Sequence, residues 1–163
     1  FIEDVPKFMK MLRTQKSVVS GSVALYFFDP SRNCTPSDMD LYTPRRRKRR
    51  VMKFLKAEGY RVVPRTYPRH LEYGLSCGTS DVITVCDGRK CIDIVVALGR
   101  VSIAPIFRLY SSAVMNYISY PNLTARGRAL YNPMVSVRGL PPPHLTRCYA
   151  KYASRGYDLA INP

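Results

Sequence analysis

Histidine is scarce in this chain: His70 and His144 are the only two among 163 residues, and neither shares a motif with the cysteines. No zinc site built on His and Cys spacing is therefore expected. The five cysteines, Cys34, Cys77, Cys86, Cys91 and Cys148, are odd in number, and no two stand at C-x-x-C spacing. They read as free thiols in a reducing compartment rather than as a disulfide framework. No run reaches the roughly 18 apolar residues that a membrane span needs. No signal peptide opens the sequence, so an intracellular protein of the cytoplasm or nucleus is expected. In that setting the sequons Asn33-Cys34-Thr35 and Asn122-Leu123-Thr124 are chance matches. The chain begins at Phe1 rather than Met, as a fragment of a longer protein would. There is no internal repeat, and low complexity is confined to a basic run and a proline triplet.

Acids are also few. Eleven Asp and Glu face 26 Lys and Arg, which leaves a net charge of +15. Such a field attracts polyanions without deciding the fold. Nucleotides, nucleic acid or an anionic surface are the natural partners. A length of 163 residues suits one domain with a real core.

With acids this scarce, their placement is informative. Asp38 and Asp40 lie in a short apolar strand, SDMDLY, and residues i and i+2 of a strand share a face. Two carboxylates held close repel each other, and a divalent cation removes that cost. Asp93 interrupts a second apolar strand, CIDIVV, where a lone acid is costly unless paired or bound to metal. A salt bridge to one of the arginines is the alternative. If the two strands are neighbours, three acids converge. Upstream, Ser17–Ser20 reads as a strand and Val23–Phe28 as a helix, with Gly21 and Ser22 at the turn between them. Gly21 permits close approach of a phosphate. The first amides of the helix, with the Ser22 hydroxyl, would face an anion.

The order Gly21-Ser22, Asp38-Met39-Asp40, then Asp93 in IDIVV resembles the nucleotidyltransferase superfamily, the palm-like fold of DNA polymerase beta. The pieces SGSVALYFF, SDMDLY, YSSAVMNYI and KYASRGYDL are similar to an uncharacterised fungal group with nucleotidyltransferase-like domains, and span about residues 17–158. The fifteen residues between Ser22 and Asp38 are a longer connection than the superfamily's usual one. The resemblance implies an α/β fold: a small mixed sheet with flanking helices in one domain over 1–163, its C-terminal helical part at about 105–158. It implies transfer of a nucleoside monophosphate from a nucleoside triphosphate to a hydroxyl, possible on RNA or DNA. Asp38, Asp40 and Asp93 would be the catalytic metal ligands, for Mg²⁺ or Mn²⁺. Gly21 and Ser22 would seat phosphates. A catalytically inactive module that binds nucleic acid or nucleotide is the alternative, and an interaction domain of a receptor or effector a third.

The basic run Arg45-Arg46-Arg47-Lys48-Arg49-Arg50 follows Thr43-Pro44, which reads as N-cap and first residue of a helix ending near Glu58-Gly59. Cations are the wrong sign for that helix end and repel one another. A role for Arg45, Arg46 and Arg49 on a triphosphate or a nucleic-acid acceptor follows; a nuclear import signal and a solvated face are the other readings.

The remaining expectations are structural. Val5–Gln15 is an amphipathic helix through Val5, Phe8, Met9 and Leu12, and Tyr60–Thr66 a strand. Tyr67–Ser80 is irregular. Asp81–Cys86 and Arg89–Ala97 form a hairpin about Asp87-Gly88. Pro105–Ser119 is a helix on which Ser111, Ser112 and Asn116 stand near one stripe; packing or helix-surface polarity is their favoured role, and ribose or base contact is what the fungal motif hints at. Leu123–Tyr131 is a short helix, Asn132–His144 a linker, and Leu145–Arg155 a helix whose Tyr149 and Tyr152 stand among cations.

Overall fold

A computed structural model describes residues 1–30, 35–64, 78–109, 115–119, 146 and 150–155. The first helix, α1, covers Val5–Gln15. The Asp4 side chain caps it by accepting from the Lys7 backbone amide, and Lys16 ends it in a left-handed conformation at φ 53°. Its buried face is Phe8, Met11 and Leu12. Val5, expected inside, is 55% exposed.

Among the described residues the sheet has six strands, β1 (Val18–Ser20), β2 (Asp38–Pro44), β3 (Arg61–Val62), β4 (Thr79–Cys86), β5 (Cys91–Ala97) and β6 (Tyr117–Ile118). Their order is β3-β4-β5-β2-β1-β6. Only β2 and β5 run parallel among these pairs, so the sheet is mixed. Helix α2 (Gly21–Phe28) joins β1 to β2, and α3 (Lys48–Ala57) follows β2 after a single 3-10 turn at Arg45–Arg47.

Strand alternation sorts the apolar residues into two layers. On one face Val19, Met39, Leu41, Ile92, Ile94 and Val96 pack under Phe8, Met11 and Leu12 of α1 and Val51 and Leu55 of α3. On the other, Val18, Tyr42 and Val95 pack with Ile106. Residues i and i+2 share a face, so Asp38 and Asp40 belong with Tyr42, and Asp93 with Val95.

The β4–β5 hairpin forms, but its second arm starts at Cys91 rather than Arg89, because Cys86 pairs with Cys91 and leaves 87–90 as a four-residue loop. Asp87 Oδ1 accepts from the amides of Arg89 at 2.8 Å and Lys90 at 2.7 Å, and these bonds, Lys90 first, hold its carboxyl below the usual carboxylate range. The free-thiol reading fails here: Cys86 and Cys91 are directly paired across the hairpin and form a disulfide. Pairing across the hairpin end brings their Cα atoms to 4.2 Å, close enough to bridge. Cys34, Cys77 and Cys148 lie outside the described residues.

Two helix expectations are corrected. Thr43 and Pro44 do not begin a helix; they extend β2, because parallel pairing with β5 runs on to Pro44 and Ala97. The α-helix then starts at Lys48, with no side-chain cap. The helix expected over Pro105–Ser119 is reduced at its described ends to a 3-10 turn at Ile106–Arg108 and to β6. Tyr117 and Ile118 pair with Ser20 and Val19, so backbone pairing along β1 overrides helical spacing. Of the expected strand at Tyr60–Thr66, only Arg61–Val62 joins the ladder, and 65–66 lie outside the described residues. The same holds for most of Tyr67–Ser80, for Ser111 and Ser112, for Leu123–Tyr131 and Asn132–His144, and for Tyr149. Residues 150–153, within the expected last helix, are helical. Among the described residues no helix is long and apolar enough to cross a membrane.

Candidate active site

The site is assembled by the one parallel pair of strands among the described residues. β2 and β5 pair in a register that sets Asp40 opposite Asp93 and Asp38 opposite Cys91. Neighbouring strands lie about 4.8 Å apart, and i to i+2 along a strand spans about 7 Å. All three aspartates therefore stand on the face that carries Tyr42 and Val95.

Their environments differ. Asp38 and Asp40 are half-buried, whereas Asp93 is completely buried. Thr84, opposite Asp93 on β4, donates its hydroxyl to Asp93 Oδ1 at 2.6 Å. Ser37 donates to Asp38 Oδ1 at 3.3 Å. The buried acid thus has a neutral hydroxyl donor on the adjacent strand. Thr84 escaped the sequence reading: counted outward from a two-residue Asp87-Gly88 turn it would face Cys91, and only the four-residue loop 87–90 sets it opposite Asp93.

Gly21 lies against Asp40. Its φ is +66°, and a Cβ added there would fall 1.9 Å from Asp40 Oδ2 and 2.9 Å from Asp40 Cγ. Only glycine leaves room for that carboxylate, and only glycine takes this φ without strain. The reason is topological: β1 ends at Ser20, opposite Asp40, and α2 begins at the next residue. The positive end of α2 therefore starts beside a carboxylate of the chain itself, a favourable placement.

Ser22 is placed differently from the expectation. It is 4% exposed, and its hydroxyl donates to the Asp38 carbonyl at 3.4 Å, tying α2 to the start of β2 rather than facing an anion. Ser20, also buried, donates to the Asn116 carbonyl at 2.5 Å. The Asn116 carbonyl thus supports the end of β1.

Arg45, Arg46 and Arg49 are exposed and stand away from the acids. Five residues of extended chain, about 16 Å, separate Asp40 from Arg45. α3 also packs on the opposite face of the sheet from Asp40. Of the residues singled out in the sequence, the fold unites Gly21, Ser22, Asp38, Asp40 and Asp93 and sets the arginines apart.

Among the described residues no group of three His, Cys, Asp or Glu side chains is arranged to hold a metal ion. The donor chemistry still fits a hard cation, since Mg²⁺ is commonly held by one or two carboxylates and completed by substrate phosphates and water. Asp38 and Asp40, half-buried on one face, are such a pair. Comparison of the chain with protein-family models, with curated proteins and with solved structures finds no match.

Proposed function

We propose that this chain is a metal-dependent nucleotidyltransferase that moves a nucleoside monophosphate from a nucleoside triphosphate to a hydroxyl. One observation carries the reading: Asp40 and Asp93 stand in register on parallel strands, with Asp38 on the same face and Gly21 against Asp40. A triphosphate entering at the Gly21-Ser22 turn would meet the Asp40 carboxylate. Like charges there repel, so the site suits an anionic substrate only with a cation between them.

Asp38 and Asp40 would hold Mg²⁺ or Mn²⁺, with Asp93 completing the acid set. When bound, such an ion supplies charge neutralisation at the attacking and leaving oxygens. The chain's own residues do the rest. Gly21 leaves room for the Asp40 carboxylate beside the turn, and the first amides of α2 would add positive partial charge toward a phosphate. Ser22 fixes α2 against β2, so turn and acids keep one geometry. Thr84 holds Asp93 in a single orientation. No side chain is required as a nucleophile.

A second reading is favoured by the complete burial of Asp93: a module that binds nucleotide at the same acids without transferring it. One experiment separates the two. Each nucleoside triphosphate is titrated with Mg²⁺ or Mn²⁺ while melting temperature and pyrophosphate release are followed. Transfer requires both signals, and both should vanish in the Asp38→Asn/Asp40→Asn double variant. Binding without pyrophosphate, whatever hydroxyl acceptor is supplied, selects the second reading. A melting temperature indifferent to metal and nucleotide together rejects both.

A further inference from the structure

The helical face of the sheet carries most of the described basic charge, and it lies opposite the acids. Helices α1 and α3 pack side by side there through Phe8 and Phe54, whose rings stand 6.1 Å apart. They run in opposite directions. At one end Lys7 of α1 pairs with Glu58, just beyond α3. At the other, Ser17 donates to Thr43 Oγ1 at 3.0 Å, which brings Lys16 beside the chain entering the basic run. The C-terminal half of α1, with Lys10 and Arg13, and Lys16 just beyond it thus lie toward the 3-10 turn before α3 and the first turn of α3, with Arg45, Arg46 and Arg49. All six side chains are exposed. Sequence alone marked the second group; the fold adds the first.

We propose that α1 and α3 together form a docking surface for the phosphate backbone of a nucleic-acid duplex, read without regard to base sequence. Charge complementarity argues for a polyanion, and four of these six cations are arginines, whose planar fork suits phosphate oxygens. A membrane surface fits less well. An interfacial helix needs an apolar face to insert. The apolar faces of α1 and α3 are spent in the core, and Val5 is the one exposed large hydrophobic residue on either helix. A single strand also fits less well. Its binding relies on aromatic side chains that stack on bases, and the exposed aromatics described, Tyr26, Phe27 and Phe107, lie outside these two helices. The surface does not rest on the acid site, which is on the other face.

The test uses the whole chain and fluorescence anisotropy with 20-base-pair duplexes of unrelated sequence, as DNA and as RNA, across a salt series. Two variants are compared with the parent. One carries Lys10→Gln, Arg13→Gln and Lys16→Asn, asparagine being suited to the positive φ. The other carries Arg45→Gln, Arg46→Gln and Arg49→Gln. Each lost phosphate contact lowers the slope of log affinity against log salt by about 0.9. Both variants should therefore lose about two to three from the slope and at least tenfold in affinity, equally for all sequences. The melting temperature of the Arg45, Arg46 and Arg49 variant and the nucleotide titrations of both variants with Mg²⁺ should match the parent's. Should a triple variant melt early, the single substitutions Lys10→Gln and Arg46→Gln carry the same test with a slope change of about 0.9. An α1 variant with the parent's slope overturns the two-helix surface. So does tighter binding to the single strand, or binding to anionic lipid vesicles without binding to duplex.

Discussion

Replacing Gly21 by alanine tests both the fold and the site. Two costs follow from the structure. The left-handed backbone at φ +66° costs a non-glycine residue about 1–2 kcal/mol. The new Cβ would lie 1.9 Å from Asp40 Oδ2, and the Asp40 Cβ would be 3.2 Å away, so rotating the carboxylate relieves only part of the clash. Overpacking of this kind costs about 1–3 kcal/mol. A total near 3 kcal/mol lowers the melting temperature of a domain this size by roughly 6–12 °C. The clash can be isolated by repeating the change with Asp40→Ala, which removes Oδ2 and Cγ. In that background the backbone cost, about 1–2 kcal/mol, should remain together with the tight 3.2 Å Cβ contact, and the larger clash with the carboxylate should be gone. Urea unfolding of the four proteins of the cycle measures the coupling. Gly21→Ala should also lose metal-dependent nucleotide binding, because Asp40 is displaced. A variant as stable as the parent, or a cycle with no coupling, would refute the placement of Asp40 against the turn.

Three further outcomes are expected. Thr84→Val strips a hydroxyl from the fully buried Asp93 and should cost about 1–3 kcal/mol in urea unfolding; if Asp93 orients the acceptor, any transfer rate should fall while nucleotide binding stays within a few-fold. Reducing the Cys86–Cys91 disulfide, which closes a very short loop, should cost at most about 2 kcal/mol, so a melt with and without dithiothreitol should differ by no more than roughly 4–8 °C and not abolish folding. Tyr60 donates its hydroxyl to the Phe1 carbonyl, and burial, then the Asp87 and Glu58 carboxylates, push its phenol up to about 12. The fold therefore prefers the neutral phenol, a contribution fully present below pH 10 and lost as pH rises through about 12; Tyr60→Phe should flatten that decline in alkaline unfolding curves.

What the sequence determined about this protein was local. Alternation put Asp38 and Asp40 on one face, and Asp87-Gly88 placed the hairpin. Helical spacing placed α1, although Met11 rather than Val5 completes its buried stripe. Those features depend on periodicity and turn chemistry within a few residues. Only the tertiary structure decided the rest, because it depends on which distant strands pair. Parallel pairing of β2 with β5 brought Asp40 opposite Asp93, and the same ladder carried Thr43 and Pro44 into the sheet, delaying α3. Pairing along β1 made strand of Tyr117 and Ile118, where spacing indicated a helix. Exact opposition across the hairpin bridged two cysteines that counting alone had left as thiols. The charge run was legible from its composition, but its place on the far face from the acids, beside the cations of α1, follows only from how two helices bury their apolar stripes on one side of the sheet.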